Sequence, residues 1–407
     1  MTVGSLQGTR VLDCTASVAG PFATQILGDL GADVIKVERR DGGDDTRRWG
    51  PPFWVGESPM FLSLNRNKRS LALDLKTTEG KEVFRKLVAG CDVLVQNLRP
   101  GSLAKLGFDH ARLRELNPRL IYCDMTGYGH TGPMREEPAY DPLMQAFAGL
   151  MSLTGEPGGA PVRIPASLLD QGTAMWTVIG VLDALRNREI TGEGCQVQTS
   201  LLQTAVMWLP SQLVGYLADG ELPAKQGSGT KVIAPYQAFP TADGHLIIAA
   251  GNDNLWQRLC AAIERDELTA DPRFADNPSR VANRPALSET LSETLRARNT
   301  AQWQQVLSAA GVPVTPIRTV DEVVEDEQVR AVGILRQVEH PRIPDFTVIN
   351  TPICRDGEYL GEPVAPPELG AHSAQILAEL GYRGPEVAQL VTAGVVADAT
   401  GEVEETA

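Results

Sequence analysis

Through the first 125 residues short apolar runs alternate with helix-patterned segments, and this repetition constrains the fold more than anything else in the chain. Arg10–Asp13 (RVLD) reads as a buried strand, and Pro21–Leu30 (PFATQILGDL) has helical spacing with Pro in its first turn. Asp33–Glu38 (DVIKVE) is a second strand, Ser70–Leu75 a third, Glu79–Ala89 a helix and Asp92–Gln96 (DVLVQ) a fourth strand. A short pair of helices then leads to Leu120–Met125 (LIYCDM). Repeated βα units of this length predict a parallel sheet covered by helices, an α/β fold of Rossmann-like type.

Such a sheet invites a dinucleotide. The turn after the first strand is CTASVAGP, however, and it lacks the GxGxxG glycines that let backbone approach a pyrophosphate. Glu38, at the end of the second strand, stands where a ribose-binding acid would, but without the glycines neither NAD nor FAD is expected.

At 407 residues the chain is long for one core, and two domains are expected. The polar, Gly- and Pro-containing segment DGELPAKQGSGT (219–230) reads as a linker. Beyond it, Tyr236–Phe239 and His245–Ala250 flank an Asp243-Gly244 turn as a hairpin, and helices follow at Pro285–Ala297 and Thr300–Ala310. The predicted layout is a large domain at 1–200, a linker helix and loop at 201–230 and a smaller α+β domain at 231–330. A proline-rich return to the large domain at 331–397 and a solvated tail at 398–407 complete it.

Charge and cysteine usage narrow the function. A net charge of −14 argues against nucleic acid, because phosphate-backbone binding needs a basic surface. Bases nevertheless gather in the first hundred residues (Arg39, Arg40, Arg47, Arg48, Arg66, Lys68, Arg69, Arg99), as a local anion site would require. Six scattered cysteines without a CxxC pair, and five histidines without a ligand pattern, fit a reducing cytoplasm and suggest neither disulfides nor a metal. The uncharged stretch Gln196–Ala218 is long enough to span a bilayer, but its Gln203, Pro210, Ser211 and Gln212 favour a strand and a helix buried in a large interface. The N-terminus shows no secretory signal pattern, and no membrane association is expected.

The richest stretch runs from Tyr140 to Leu185. An apolar segment after the glycine-rich loop 155–159 delivers Asp170 to the start of a helix, where backbone N–H groups and the helix dipole would lower its pKa and keep it ionised. Asp is also a common helix cap, and the chain holds 51 acidic residues, so the residue type alone does not make Asp170 catalytic.

The ordered blocks AGPFATQILGDLGADVIKVE, NRNKRSLALDLKTTEG, DVLVQNLRPG, GYGHTGP, YDPLMQAFAGLMSLTGEP, TGEGCQVQTSLLQTA and APYQAFPTADGHLIIAAGND resemble the CaiB/BaiF group, the class III CoA-transferases. The resemblance runs from about residue 6 to residue 393. It implies an interlocked homodimer, coenzyme A and acyl-CoA as substrates, and no permanently bound cofactor. It places the nucleophile on Asp170, an active-site tyrosine on Tyr140, and coenzyme A contacts on Arg39, Lys76, Asn97 and Lys105. It further implies an acyl–aspartyl anhydride that passes to an aspartyl-CoA thioester, in a site closed to water; Gly227-Ser228-Gly229 and Gly251-Asn252 are candidate lids.

Two other readings stay open. The same superfold includes α-methylacyl-CoA racemases, whose histidine would align near Tyr140; that histidine is absent here, and His130 in GYGHTGP is the nearest. A CoA-binding homologue without turnover is the third. For the acceptor, Val18 stands where members acting on formyl-CoA and oxalate usually carry glutamine. A small dicarboxylic or hydroxy acid, with succinyl-CoA or acetyl-CoA as donor, is expected instead.

Overall fold

A computed structural model describes residues 4–398, so the expected tail lies outside the described residues but for Asp398. Two compact units form. The larger comprises the residues up to Ala148, Ile164–Ser211 and the chain from Ala331 onward; the smaller comprises Gly149–Arg163 and Gln212–Arg330.

The larger unit is built on strands β1 (Arg10–Cys14), β2 (Asp33–Glu38), β3 (Lys68–Leu73), β4 (Val93–Gln96), β5 (Ile121–Thr126) and β6 (Gln196–Ser200). They pair in parallel in the order β3-β2-β1-β4-β5-β6, and a short strand, Val396–Ala397, closes the β3 edge antiparallel. The expected α/β fold with a parallel-sheet core is therefore present. The order reverses between β1 and β4, and at such a switch point the loops leaving the strand C-termini part to form a crevice.

Successive side chains of a strand face opposite ways, so a sheet with helices on both faces must be apolar at every position. Leu12, Ile35, Leu71 and Leu94 pack on one face against α3 (Thr78–Ala89), with Val83, Phe84 and Leu87. Their neighbours Val11, Val34, Val93 and Val95 pack on the other against α1 (Ala19–Asp29) and the long helix Leu168–Thr191, with Ala23, Leu27, Ala174 and Val178. Each fully buried large side chain, such as Phe84, contributes about 1.5–3 kcal/mol.

Charges also lie in this core. Asp13 is fully buried and holds Lys68 Nζ at 2.9 Å, Thr24 Oγ1 at 2.7 Å and Thr15 Oγ1 at 2.5 Å. Lys36, equally buried, donates to the Thr15 carbonyl at 2.9 Å and pairs with Asp44 at 3.0 Å. Burial opposes the charge on Asp13, but Lys36 and Lys68 outweigh it and hold the carboxyl well below its usual range. The network fixes the turn from β1 into α1, where Ser17 takes a positive φ of 67° and its N–H reaches Asp44 Oδ1 at 3.2 Å.

In the smaller unit, β7 (Tyr236–Pro240) and β8 (His245–Ala249) form the expected antiparallel hairpin. An unanticipated third strand, β9 (Val314–Pro316), pairs with β8. Trp256, Phe274, Leu291 and Trp303 fill its own core. The two glycine segments weighed as lids lie in this unit. Asn252 caps a helix by accepting the Leu255 N–H at 2.9 Å, and Gly227 donates to the Gly155 carbonyl at 3.1 Å.

The uncharged stretch resolves into β6 and two helices, Leu201–Met207 and Pro210–Asp219, rather than a strand and one helix. No residue of the second helix is buried within the single chain. Among the described residues no helix is long and apolar enough to cross a membrane.

Candidate active site

Two cavities open along the C-terminal edge of the parallel sheet. One, of about 470 Å³, lies over the ends of β1, β2 and β3 and is walled by Arg39, Arg40, Leu75, Lys76, Leu98 and Leu103. The other, of about 500 Å³, includes Asn97, Tyr140, Asp141 and Asp170. They share Ala16 and Leu98, so they form one groove running from the basic edge to Asp170.

Of the residues expected at a site, Asn97, Tyr140 and Asp170 meet in one cavity, and Arg39 and Lys76 in its neighbour. Lys105, the last residue of α4 (Ser102–Lys105), is exposed; it is absent from the groove wall, though Leu103 and Leu106 beside it are present. The Arg39 guanidinium donates to the Gly43 carbonyl at 2.9 Å and to Asp45 at 2.5 Å, so a phosphate would compete with that acid. Asn97 grips backbone instead: its Oδ1 accepts the Ala16 N–H at 2.9 Å and its Nδ2 donates to the Ala16 carbonyl at 2.8 Å. It thereby ties the end of β4 to the turn shared by both cavities.

Asp170 departs from expectation in two ways. It lies in the first turn of the helix Leu168–Thr191 but does not cap it; Ser167 is the capping position and makes no capping bond. Asp141 does that work from another element, its Oδ2 accepting the backbone N–H of Leu169 at 2.7 Å and of Asp170 at 3.4 Å. The Asp170 carboxylate has no hydrogen-bond partner among the described residues. Its pKa is accordingly not lowered but raised to about 7, first by burial and then by the charge of Asp141. The helix-end argument failed because the orphan donors were already taken.

Asp141 opens the helix Asp141–Phe147, and its Oδ1 also accepts Gln145 Nε2 at 2.6 Å. Gln145 in turn accepts the Ile164 N–H at 2.9 Å, so two buried side chains of that helix fasten the segment that delivers Asp170. An Asp-Pro pair opening a helix was visible in the sequence, but its partner 29 residues on was not. Behind Asp170, Thr173 meets Thr204 at 2.8 Å and Thr177 meets Thr199 at 2.8 Å.

Tyr140 sits just ahead of Asp141 with 59% of its surface exposed. The loop that brings it there, 127–139, closes on itself because Gly127 has no side chain; a Cβ would stand 2.0 Å from that of Ala139. The loop also adds Arg135 and Glu137 to the cavity wall, and Trp49, Met60 and Arg99 complete it. Of these, Arg99 entered the sequence reading only as part of the basic cluster, and Met60, Arg135 and Glu137 carried no signal.

A cavity whose half-buried Asp170 carboxylate has no hydrogen-bond partner among the described residues, joined to a basic groove, suits nucleophilic attack on the acyl group of an anionic carrier. Comparison with known proteins shows the family. A family profile described as CoA-transferase family III matches residues 6–373. A succinyl-CoA:glutarate CoA-transferase from Homo sapiens is 38% identical over 392 residues, 96% of this chain and 90% of that protein. A succinate–glutarate CoA-transferase from Agrobacterium fabrum is 40% identical, over 92% of this chain and 95% of that one. The crystal structure of a CaiB/BaiF family protein from Brucella suis superposes with a TM-score of 0.86 at 40% identity, covering 93% of this chain and all of that one.

Proposed function

The chain belongs to CoA-transferase family III and is an enzyme of that class; we propose that it moves coenzyme A from an acyl-CoA to a free carboxylic acid through Asp170. The single observation that carries the proposal is the Asp170 carboxylate, half-buried in the cavity that joins the basic groove and without a hydrogen-bond partner among the described residues.

An Asp170 oxygen attacks the thioester carbonyl, the C–S bond breaks, and coenzyme A leaves as its thiolate from a mixed anhydride. The thiolate then attacks the side-chain carbonyl of Asp170. The donor acid departs as its carboxylate, and an aspartyl-CoA thioester remains. The acceptor carboxylate repeats the sequence in reverse, forming a second anhydride whose acyl carbon takes the thiolate. Tyr140, exposed at the same cavity, supplies a hydroxyl to the developing oxyanion. Lys76 and Arg39 hold the coenzyme's phosphates over the ends of β3 and β2, with Lys105 near the groove rim. Asn97 acts through the Ala16 turn.

The acyl groups are those of small acids, with succinyl-CoA as a donor suggested by the names of the relatives. The assembly is an interlocked homodimer. Its support in this chain is the apolar surface left uncovered, with Met175 and Ile179 each 53% exposed and Leu217 81% exposed.

Mass spectrometry tests the proposal. The protein is incubated with succinyl-CoA or acetyl-CoA and a pool of carboxylic acids, beside Asp170→Ala. New thioesters that vanish in the variant are expected. Deuterium uptake at the acyl α-carbon, without any new thioester, would mean a racemase instead.

A further inference from the structure

The transfer proposed above uses no histidine, yet the GYGHTGP loop seats one with care. His130 is absent from the wall of the Asp170 cavity. It lines a third, smaller cavity of about 280 Å³, which shares Thr126 with that wall and lies between the ends of β4 and β5 and residues 101–110. There Nε2 stands 3.3 Å from the main-chain carbonyl of Asp124, and Nδ1 3.6 Å from its carboxylate, an ion pair when the ring is protonated. The two side chains are 19% and 20% exposed.

Asp124 works in two directions. Its other oxygen accepts Gln96 Nε2, and Gln96 Oε1 accepts the Leu98 N–H at 2.9 Å. Leu98 walls both parts of the groove. One carboxylate thus holds the loop after β5 through His130 and the turn after β4 through Gln96. On the loop, the anchoring ends at His130. Before it, Gly127 accepts the Leu202 N–H at 2.9 Å, the Tyr128 ring meets Phe147 edge-on at 5.2 Å, and Gly129 donates to Thr126 Oγ1 at 3.1 Å. After it, residues 131–133 and 135–138 are exposed, and this stretch adds Glu137 and Pro138 to the Asp170 cavity just ahead of Tyr140.

We infer that His130 is a positioning residue for the transfer: seated on Asp124, it fixes the point from which the exposed loop wall and Tyr140 are held beside Asp170. It touches no reacting atom. A misplacement of about 1 Å at a reacting centre costs on the order of a hundredfold in rate, so an anchor one cavity away still governs turnover. Gln96 is the other end of the same network and acts on the groove through Leu98. The inference rests on the transfer reading above and adds to it the residues that hold its site in register.

The test separates the two ends by kinetic parameter. His130→Ala should lower kcat by about ten- to a hundredfold and leave KM for acyl-CoA within about twofold. Gln96→Leu, which frees the Leu98 N–H, should instead raise that KM several-fold with a smaller loss of kcat. Added imidazole can enter the third cavity and fill the space that His130→Ala vacates, so it should restore part of the lost kcat saturably, which an unstable protein would not show. A kcat within about twofold of the wild type, or a loss that imidazole leaves unmoved, overturns the inference. Should the alanine variant not fold, His130→Gln decides, since it keeps one donor for Asp124. A lowered kcat at unchanged KM supports the anchor, and no change in either overturns it. Hydrogen exchange over residues 128–140 reads the loop without turnover. It should be faster in His130→Ala and slowed again by imidazole. If no acid accepts coenzyme A but the loop responds, the transfer reading falls alone; a loop that does not respond overturns the anchor.

Discussion

Asp141 accepts the backbone N–H of Asp170 at 3.4 Å and, by its charge, helps to raise the pKa of the Asp170 side chain. One carboxylate thus positions the other and opposes its ionisation. On the proposed mechanism the nucleophile is ionised Asp170, so kcat/KM should fall about tenfold for each pH unit below about 7. Asp141→Asn keeps an oxygen for the Leu169 N–H but removes the charge. The acidic limb of the pH–rate profile should then move to lower pH, by only part of the shift because burial is the larger cause. A profile that stays in place would show that Asp141 positions the segment and does nothing to the charge.

The same raised pKa predicts a site that weakens the fold. The ordinary carboxylate value is 3.8 and the folded value about 7, so the native state binds the proton more tightly. Between about pH 4 and 7 the unfolded chain is ionised while folded Asp170 still holds its proton, and stability falls as pH rises through that window. Above about 7 the full penalty remains. Asp170→Asn, which cannot ionise, should be more stable than the wild type at pH 8 by about 1–3 kcal/mol after allowance for solvent screening, and nearly equal to it at pH 4. Urea denaturation at the two pH values measures the difference. An equal difference at both would place the effect in packing.

Lys76 and Asn97 should separate binding from positioning. Lys76 is exposed, and Lys76→Ala should raise the KM for acyl-CoA several-fold, more at low salt than at high, with the melting temperature unchanged. Asn97 spends both ends of its amide on Ala16, so Asn97→Ala should cost about 1–3 kcal/mol of stability as well as raising KM. Steady-state kinetics beside calorimetric melting distinguish the two. If Lys76→Ala alone melts early, the assignments are reversed.

How much of this was legible depends on how far apart the interacting residues lie. Runs such as DVIKVE and DVLVQ revealed the parallel sheet because its burial on both faces is written into consecutive residues. A resemblance singled out Asp170 as a candidate, but its electrostatics were not legible. They turn on Asp141 taking donors that the sequence assigned to Asp170. Strand β9 was missed because three residues, Val314–Pro316, carry too little periodicity to read. Arg135 and Glu137 reach the cavity only because Gly127 and Ala139 touch at the base of their loop, a contact between residues 12 apart that neither announces.

The buried charges under the groove yield the last prediction. Asp13 faces both Lys68 and Lys36, so removing it leaves two buried ammonium groups with Asp44 as the nearest acid, 3.0 Å from Lys36. Breaking a buried pair on the side that strands the charge costs roughly 3–5 kcal/mol. Asp13→Ala should therefore lose about that much, together with the bonds that hold Thr15 and Thr24. Lys68→Met should lose less. Its removal leaves Asp13 with Lys36, and Lys68 is already inclined to give up its proton, its pKa lowered to about 8 first by burial, with Asp13 opposing and Lys36 adding repulsion. Both changes loosen the turn that walls the groove, so KM for acyl-CoA should rise in the same order as stability falls. Urea denaturation and steady-state kinetics on the two variants measure this. The opposite order would mean that the network is held by Lys68 rather than by Asp13, with the turn built outward from β3 instead of β1.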